Sequence, residues 1–213
     1  MRPEAAPVYK TFYMQHENFS PQESLHLIRE TINRAKTSYH DKGIGPILWG
    51  CVITVCSLVS FYASLHKISW LFSVWFLTII AVVPQVMISI KERKEKKFVS
   101  FNDNATSAIW ITFGFSMFTV SIIDNILNAK YGTGIHASVY MLIYGIPTII
   151  TGAICNYRIM LWGGILCWVF AATAAFFKYP YPFLFMAGCA IVAWLIPGLL
   201  LYSEYRKQQR LNV

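Results

Sequence analysis

Four polar side chains near the ends of apolar segments are the first candidates for chemistry in this sequence. They are Asp124, Asn125, His66 and His136, and Asp124 is the one acidic residue inside an apolar run. Carboxylate, amide and imidazole groups gathered at one membrane surface would form a polar mouth able to bind a proton or a metal ion. The simpler interpretation, which we favour, is that water reaches Asp124 or that Lys130 pairs with it.

Three prolines and a glutamine inside apolar runs form a second group of candidates: Pro84, Gln85, Pro147 and Pro197. A proline inside a helix removes one backbone hydrogen bond and frees a carbonyl oxygen. The Gln85 side chain could bind the carbonyl oxygen freed by Pro84, or it could line a pore. The prolines therefore predict either kinked helices or a path through the protein, and the kinked helix is the simpler alternative.

The sequence lacks several short motifs that mark enzymes. It contains no G-x-x-x-x-G-K-[ST] phosphate loop, no H-E-x-x-H zinc motif and no G-x-S-x-G nucleophile turn. Its cysteines lie inside apolar runs without the spacing of metal ligands, which predicts buried small apolar residues. The cysteines are Cys51, Cys56, Cys155, Cys167 and Cys189. We therefore expect a protein that is not an enzyme and that carries no cofactor and no metal ion.

The composition indicates that membrane-spanning helices must position these side chains. Hydrophobic residues make up 56% of the 213 residues and charged residues 13%, whereas a soluble domain has about 25% charged residues. A membrane-spanning helix needs about 20 apolar residues. Six runs meet this requirement, at about 46–66, 68–90, 105–127, 135–156, 158–177 and 182–203. The predicted fold is all-α, with six transmembrane helices.

The basic residues indicate how these helices are oriented. With a cytoplasmic N-terminus, 15 of the 18 Lys and Arg residues fall on the cytoplasmic side. The positive-inside rule therefore predicts that both termini are cytoplasmic. Because the positive charges flank apolar runs, the net charge of +8 does not indicate nucleic-acid binding. Residues 1–19 lack the apolar core of a signal peptide, so we expect the first apolar helix to direct insertion.

The tripeptide LWG occurs twice, at 48–50 and at 161–163, and each copy opens a long apolar run. The same shift of 113 residues places Pro84 on Pro197. These matches predict three tandem helical hairpins, related by rotation about the membrane normal. The alternative is that tryptophan marks an interface and proline kinks a helix in any membrane protein.

Residues 20–43 precede the first apolar run and predict one amphipathic helix on the cytoplasmic side. Ser20 and Glu23 form a capping box, and Gly43 ends the helix. Apolar residues recur every three or four positions and form one narrow stripe. The stripe consists of Leu25, Ile28, Ile32, Ala35 and Tyr39. Because the helix is too polar to span a membrane, we expect it to bind the membrane surface, the bundle or another protein.

The chain thus divides into four predicted segments. They are a flexible N-terminus at 1–19, the amphipathic helix at 20–43, a six-helix transmembrane bundle at 44–203 and a basic cytoplasmic tail at 204–213.

The last two predicted hairpins resemble a known family. The residues concerned are "YMLIYGIPTIITGAICNYRIMLWGGILCWVFAATAAFFKYPYPFLFMAGCAIVAWLIPGLLLYSEYRK". They resemble six-helix bacterial proteins of the acid-resistance membrane protein type, in which glycine-rich hairpins repeat in tandem with proline in short outer turns. Pro180 and Pro182 fit that pattern, and the predicted helix at 20–43 departs from it. The resemblance implies six helices in a bacterial inner membrane and transfers no site.

We expect a non-enzymatic integral membrane protein that acts through protein or lipid interaction, in regulation or stress response. The expected partners are membrane lipids, a cytoplasmic protein bound through residues 20–43, and a second copy of the chain. Nucleic acid is not among them. The alternative is a small transporter or channel for an ion or small molecule, which would use the prolines of the returning helices and the polar mouth.

Overall fold

The computed structural model describes residues 42–95 and 101–211, and these residues form helices joined by short turns. Within these two ranges there is no β-strand. The prediction of an all-α fold is therefore confirmed for the described part of the chain. The apolar stripe predicted at residues 20–43 lies outside it.

Most of the described residues belong to α-helices. In chain order the elements are α1 (Ile44–His66), a 3₁₀ helix (Ser69–Trp75), α2 (Phe76–Glu95), α3 (Phe101–Tyr131), α4 (Ala137–Ile154), α5 (Arg158–Ala174), α6 (Pro182–Ala190), a π-helical turn (Ile191–Leu195) and α7 (Ile196–Leu211). The last three are continuous, and we call them together the last span.

In the part of the chain that the structure describes, five helical stretches are long and apolar enough to cross a membrane, so the chain is a membrane-embedded protein. They are Ile44–His66, Ser69–Lys94, Asn102–Tyr131, Ala137–Ile154 and Pro182–Lys207. The sixth, α5, has 17 residues, which at 1.5 Å per residue give about 26 Å, slightly less than the ~30 Å apolar layer of a bilayer. Its predicted run to residue 177 ends at Ala174. The turn that follows contains Pro180, and proline lacks the backbone N–H that a continuing helix needs. Pro182 is the first residue of α6.

Helix α1 runs antiparallel to the last span, which extends beyond the start of α1 to Leu211. At the end of α1, the hydroxyl oxygens of Ser64 and Tyr179 are 2.5 Å apart and share a hydrogen bond. At its start, Gly43 packs against Gly198. We call the membrane side that contains Gly43 the terminal side, and the opposite side, where α1 ends, the turn side.

The core of the bundle consists of α1, α4, α5 and the last span. Glycines let these helices approach closely. A Cβ atom added to Gly50 would lie 2.7 Å from the backbone nitrogen of Leu195, and one added to Gly163 would lie 3.0 Å from the Cα of Ala193. The glycines of both LWG copies therefore pack against the same π turn, one from α1 and one from α5.

Helices α2 and α3 flank this core and are covered mainly on one side. Helix α2 packs on α1, and α3 packs on α4. Among the described residues, none of the most apolar 18-residue stretch of α3 is buried. Large side chains such as Met87 of α2 and Phe115 of α3 are 67% and 71% exposed. In a membrane, lipid or another protein must cover these two flanks.

Candidate functional site

Asp124 anchors the turn between α3 and α4. Its Oδ1 accepts a hydrogen bond from the backbone N–H of Ile135 (2.5 Å), and its Oδ2 accepts one from the Tyr140 hydroxyl (3.0 Å). His136 is the N-cap of α4, where its ring nitrogen accepts from the backbone N–H of Ser138 at 3.3 Å. The structure thus brings two of the four residues of the predicted polar mouth to one turn. There the Asp124 carboxylate is engaged in hydrogen bonds that hold the turn.

The other two residues of the predicted mouth make local contacts. His66 lies against the ring of Tyr62, with ring centroids 4.3 Å apart. The amide nitrogen of Asn125 donates to the carbonyl oxygen of Ser121, one turn back in the same helix, at 2.8 Å. Both side chains are exposed, and these contacts do not join them to Asp124.

Lys130, the expected ion-pair partner of Asp124, lies instead over the ring of Tyr131, 5.1 Å from its centroid. Asp124 obtains its partners from the following turn and helix. Within residues 42–95 and 101–211, no group of three or more His, Cys, Asp and Glu side chains could hold a metal ion.

Gln85 packs against the beginning of α1. Helix α2 continues through Pro84 without ending. The Gln85 amide nitrogen donates to the Ser89 hydroxyl at 3.2 Å, and a Cβ added to Gly45 would lie 3.3 Å from the amide. The amide oxygen is buried, and it has no hydrogen-bond partner within the described ranges. Gln85 therefore lies at a helix–helix contact on the terminal side.

Tryptophan and threonine side chains form hydrogen-bonded pairs inside the bundle. Trp194 donates to the Thr148 hydroxyl at 2.9 Å, and Trp110 donates to the Thr151 hydroxyl at 3.1 Å. Both threonines follow Pro147 within one turn of α4. Each indole N–H thereby gains a partner in an apolar interior, where an unpaired donor would be costly.

Aromatic rings pack directly on one another around these pairs. The rings of Trp110, Phe113, Tyr144 and Trp194 have centroids between 5.0 and 6.1 Å apart. Such distances are those of stacked or edge-to-face aromatic pairs. The region around Pro147 is thus a packed joint between α3, α4 and the last span.

Pro197 lies just after the π turn and is contacted from the connection between α4 and α5. The Tyr157 hydroxyl donates to the carbonyl oxygen of Pro197 at 3.5 Å. Burial raises the pKa of Tyr157 above its ordinary value, and the Glu204 carboxylate raises it further. The raised pKa extends to higher pH the range over which this hydroxyl is protonated and can donate.

The point where the chain enters α1 is fixed to the last span. Gly43 has a left-handed backbone, with φ 71°, which glycine adopts without strain. Its carbonyl oxygen accepts the N–H of Ile47 at 3.2 Å. A Cβ added to Gly198 would lie 2.9 Å from the nitrogen of Ile47, and the Lys42 ammonium lies 5.5 Å from the centroid of the Tyr205 ring. We call Lys42, Gly43, Gly198 and Tyr205 the terminal junction.

Small residues at every seventh position of α1 are a signal that the sequence analysis missed. Gly43, at the N-cap of α1, and Gly50, Ser57 and Ser64 within it share this spacing, which keeps them on one face of the helix. Gly43 and Gly50 pack against the last span, and Ser64 bonds to Tyr179 in the turn before it. Ser57 is fully buried, and its hydroxyl has no hydrogen-bond partner in the described part of the chain. We call these four residues the small-residue stripe.

The chain was compared with protein-family models, with curated proteins and with solved structures, and nothing matches it in any of the three. The resemblance to acid-resistance membrane proteins therefore rests on the residues quoted for it. The interaction stripe predicted at Leu25, Ile28, Ile32, Ala35 and Tyr39 lies outside the described residues.

Proposed function

We propose that this chain is a non-enzymatic integral membrane protein that acts by binding a protein partner and membrane lipids. The terminal junction is the observation that supports this function best. This junction fixes the end of residues 20–43 to the last span. The sequence of residues 20–43 predicts a binding helix. A partner bound there would act on the contact between α1 and the last span, because Gly43 and Gly198 lie at its terminal end.

The hydrogen bonds of Asp124, Thr148 and Thr151 support binding over transport. A transport path needs polar or ionisable groups that face it. In this bundle the Asp124 carboxylate accepts a hydrogen bond from the turn after α3, and the hydroxyls of Thr148 and Thr151 accept hydrogen bonds from tryptophan side chains. These groups already have partners within the fold, so they favour a packed scaffold.

We further propose that the terminal side faces the cytoplasm, across a bacterial inner membrane. The described basic residues support this orientation, since the positive-inside rule concentrates them there. On the terminal side they are Lys42, Lys91, Arg93, Lys94, Arg158, Arg206, Lys207 and Arg210, and on the turn side Lys67, Lys130 and Lys178. The terminal side would also attract anionic lipid headgroups.

Three tandem hairpins remain part of the proposal. Helix α1 contacts α2, α3 contacts α4, and α5 contacts α6, as three successive hairpins would require. A second copy of the chain is a further partner that we propose, because α2 and α3 are covered mainly on one side.

Native mass spectrometry of the protein, extracted gently from its membrane, tests the proposal. We expect a bound protein partner in stoichiometric amount, and we expect its loss from an Ile28→Asp/Ile32→Asp double variant, which places charge on the predicted stripe. Asn33→Asp is the matched control, because Asn33 falls on the polar face of the predicted helix, opposite the stripe, and it should keep the partner. A partner retained by the double variant would remove residues 20–43 from binding. An ion flux in proteoliposomes that Asp124→Asn abolishes would favour a transporter instead.

A further inference from the structure

Two cysteine side chains meet in the interior of the bundle. Cys167 lies on α5 and Cys189 on α6, and both are almost completely buried, with exposed fractions of 0% and 1%. The Cys189 thiol donates to the Cys167 sulfur, and the two sulfur atoms are 2.8 Å apart. An S–S bond is about 2.05 Å long, so a shift of less than 1 Å would bring these atoms to bonding distance.

This arrangement distinguishes the pair from the chain's other cysteines. Cys51 is exposed, and Cys155 is half-buried at the end of α4. Cys56 is buried, but its thiol donates to the backbone carbonyl oxygen of Val74 at 3.4 Å. Among the described contacts, Cys167 and Cys189 are therefore the one pair of cysteines that lie side by side.

The surroundings of the pair determine which chemistry suits it. Cys167 and Cys189 belong to an apolar cluster that also contains Met141, Met186 and Trp194. Two thiolates holding a monovalent metal ion would leave a net negative charge in this cluster, and charge is costly there. A disulfide is uncharged, as are the two thiols from which it forms.

We propose that Cys167 and Cys189 are a redox modification site, a buried dithiol that an uncharged organic hydroperoxide converts to a disulfide. The sulfur of one thiol attacks the terminal peroxide oxygen while its proton passes to the departing alkoxy oxygen, so that no thiolate charge develops. The O–O bond breaks, a sulfenic acid forms and an alcohol is released. The second thiol displaces water from the sulfenic sulfur and forms the S–S bond. Two electrons pass from the sulfurs to the O–O bond, and the two thiol protons leave in the alcohol and the water.

The position of the pair gives the modification a structural consequence. Cys189 lies two residues before the π turn, against which Gly50 and Gly163 pack. A disulfide would join α5 covalently to the last span at this level. Oxidation would therefore hold the π turn against α5 and reduce the freedom of α5 to move along the last span.

Thiol counting tests the site on the full chain in lipid nanodiscs. The protein is treated with cumene hydroperoxide, acid-quenched, denatured and alkylated with N-ethylmaleimide. The five reactive cysteines should fall to three, with a peptide cross-linked between residues 167 and 189, and dithiothreitol should restore all five. Cys51→Ser should still lose two thiols, whereas Cys189→Ser should form no intramolecular disulfide. Five alkylated cysteines after treatment, or a cross-link between a different pair, would overturn the proposal.

Discussion

The core and the flanks of the bundle have similar hydropathy but different neighbours. The most apolar stretch of Ile44–His66, in the core, has a mean hydropathy of 2.0, and that of Ser69–Lys94, on the flank, has 2.2. Protein buries 39% of the stretch in Ile44–His66 and only 6% of the stretch in Ser69–Lys94. Hydropathy therefore shows that a helix suits lipid, and it does not show which helix packs against another.

Close approach of backbones accounts for the difference. Lipid chains are as apolar as leucine, so helices associate in a membrane through packing and hydrogen bonds. The core helices meet at glycines such as Gly50, where a side chain would collide with Leu195. In α3, Gly114 has nothing within 4 Å of an added Cβ.

The largest expected effect comes from filling one of these contacts. We expect Gly50→Leu to lower the free energy of unfolding by about 3 kcal/mol, because the new side chain would overlap the backbone of Leu195. Gly114→Leu is the matched control on the flank. It should leave stability unchanged or raise it by up to about 1 kcal/mol, because leucine favours a helix more than glycine does. Thermal unfolding in detergent measures both, and equal destabilisation would contradict the distinction between core and flank.

A second test concerns the link between flank and core. Asp124→Ala removes the hydrogen bonds that tie the end of α3 to Ile135 and Tyr140, and we expect a loss of about 1–2 kcal/mol. Hydrogen exchange should speed up in the turn at residues 132–136. Asn125→Ala, one position along, removes only a bond within α3 and should change stability by less than about 0.5 kcal/mol. Unchanged exchange in the Asp124 variant would show that the turn is held by other contacts.

The smallest expected effect is the difference in stability between two threonine-to-valine variants. Thr148 and Thr119 each bond to the carbonyl oxygen four residues back, at 2.8 and 2.9 Å, but only Thr148 also accepts from Trp194. We expect Thr148→Val to cost about 1 kcal/mol, since it leaves a buried indole N–H unpaired. Thr119→Val on the exposed face of α3 should cost nothing measurable. Thermal unfolding and tryptophan fluorescence report the change, and a neutral Thr148→Val would show that the indole finds another acceptor.

The helices themselves could be predicted because each depends on its own residues. The run predicted at 46–66 is α1, Ile44–His66, since apolar length and the flanking glycine are local signals. Their pairing could not be predicted in the same way. Ser107, Gly114 and Ser121 of α3 have the spacing of the small-residue stripe in α1, yet they are exposed. Spacing shows where backbones can approach, whereas the neighbour depends on the whole bundle.

At the candidate site, too, the sequence identified a residue but not its partner. An isolated carboxylate in an apolar run drew attention to Asp124, but Lys130 was as good a partner on sequence grounds as the backbone of Ile135. The turn geometry decided between them. For the cysteine pair a signal was present, because Cys167 and Cys189 lie equally far from Lys178, in the turn between their helices. An antiparallel hairpin places two such residues at the same depth.

The antiparallel contact between α1 and the last span has a consequence for biosynthesis. Helix α1 is translated more than a hundred residues before the span that covers its small-residue stripe. Until that span enters the bilayer, the stripe faces lipid or the insertion machinery, and the helices made in between can pack only provisionally. A nascent chain arrested before Pro182 would therefore be a substrate for membrane quality control, and the bundle would close only after the last span has entered the bilayer.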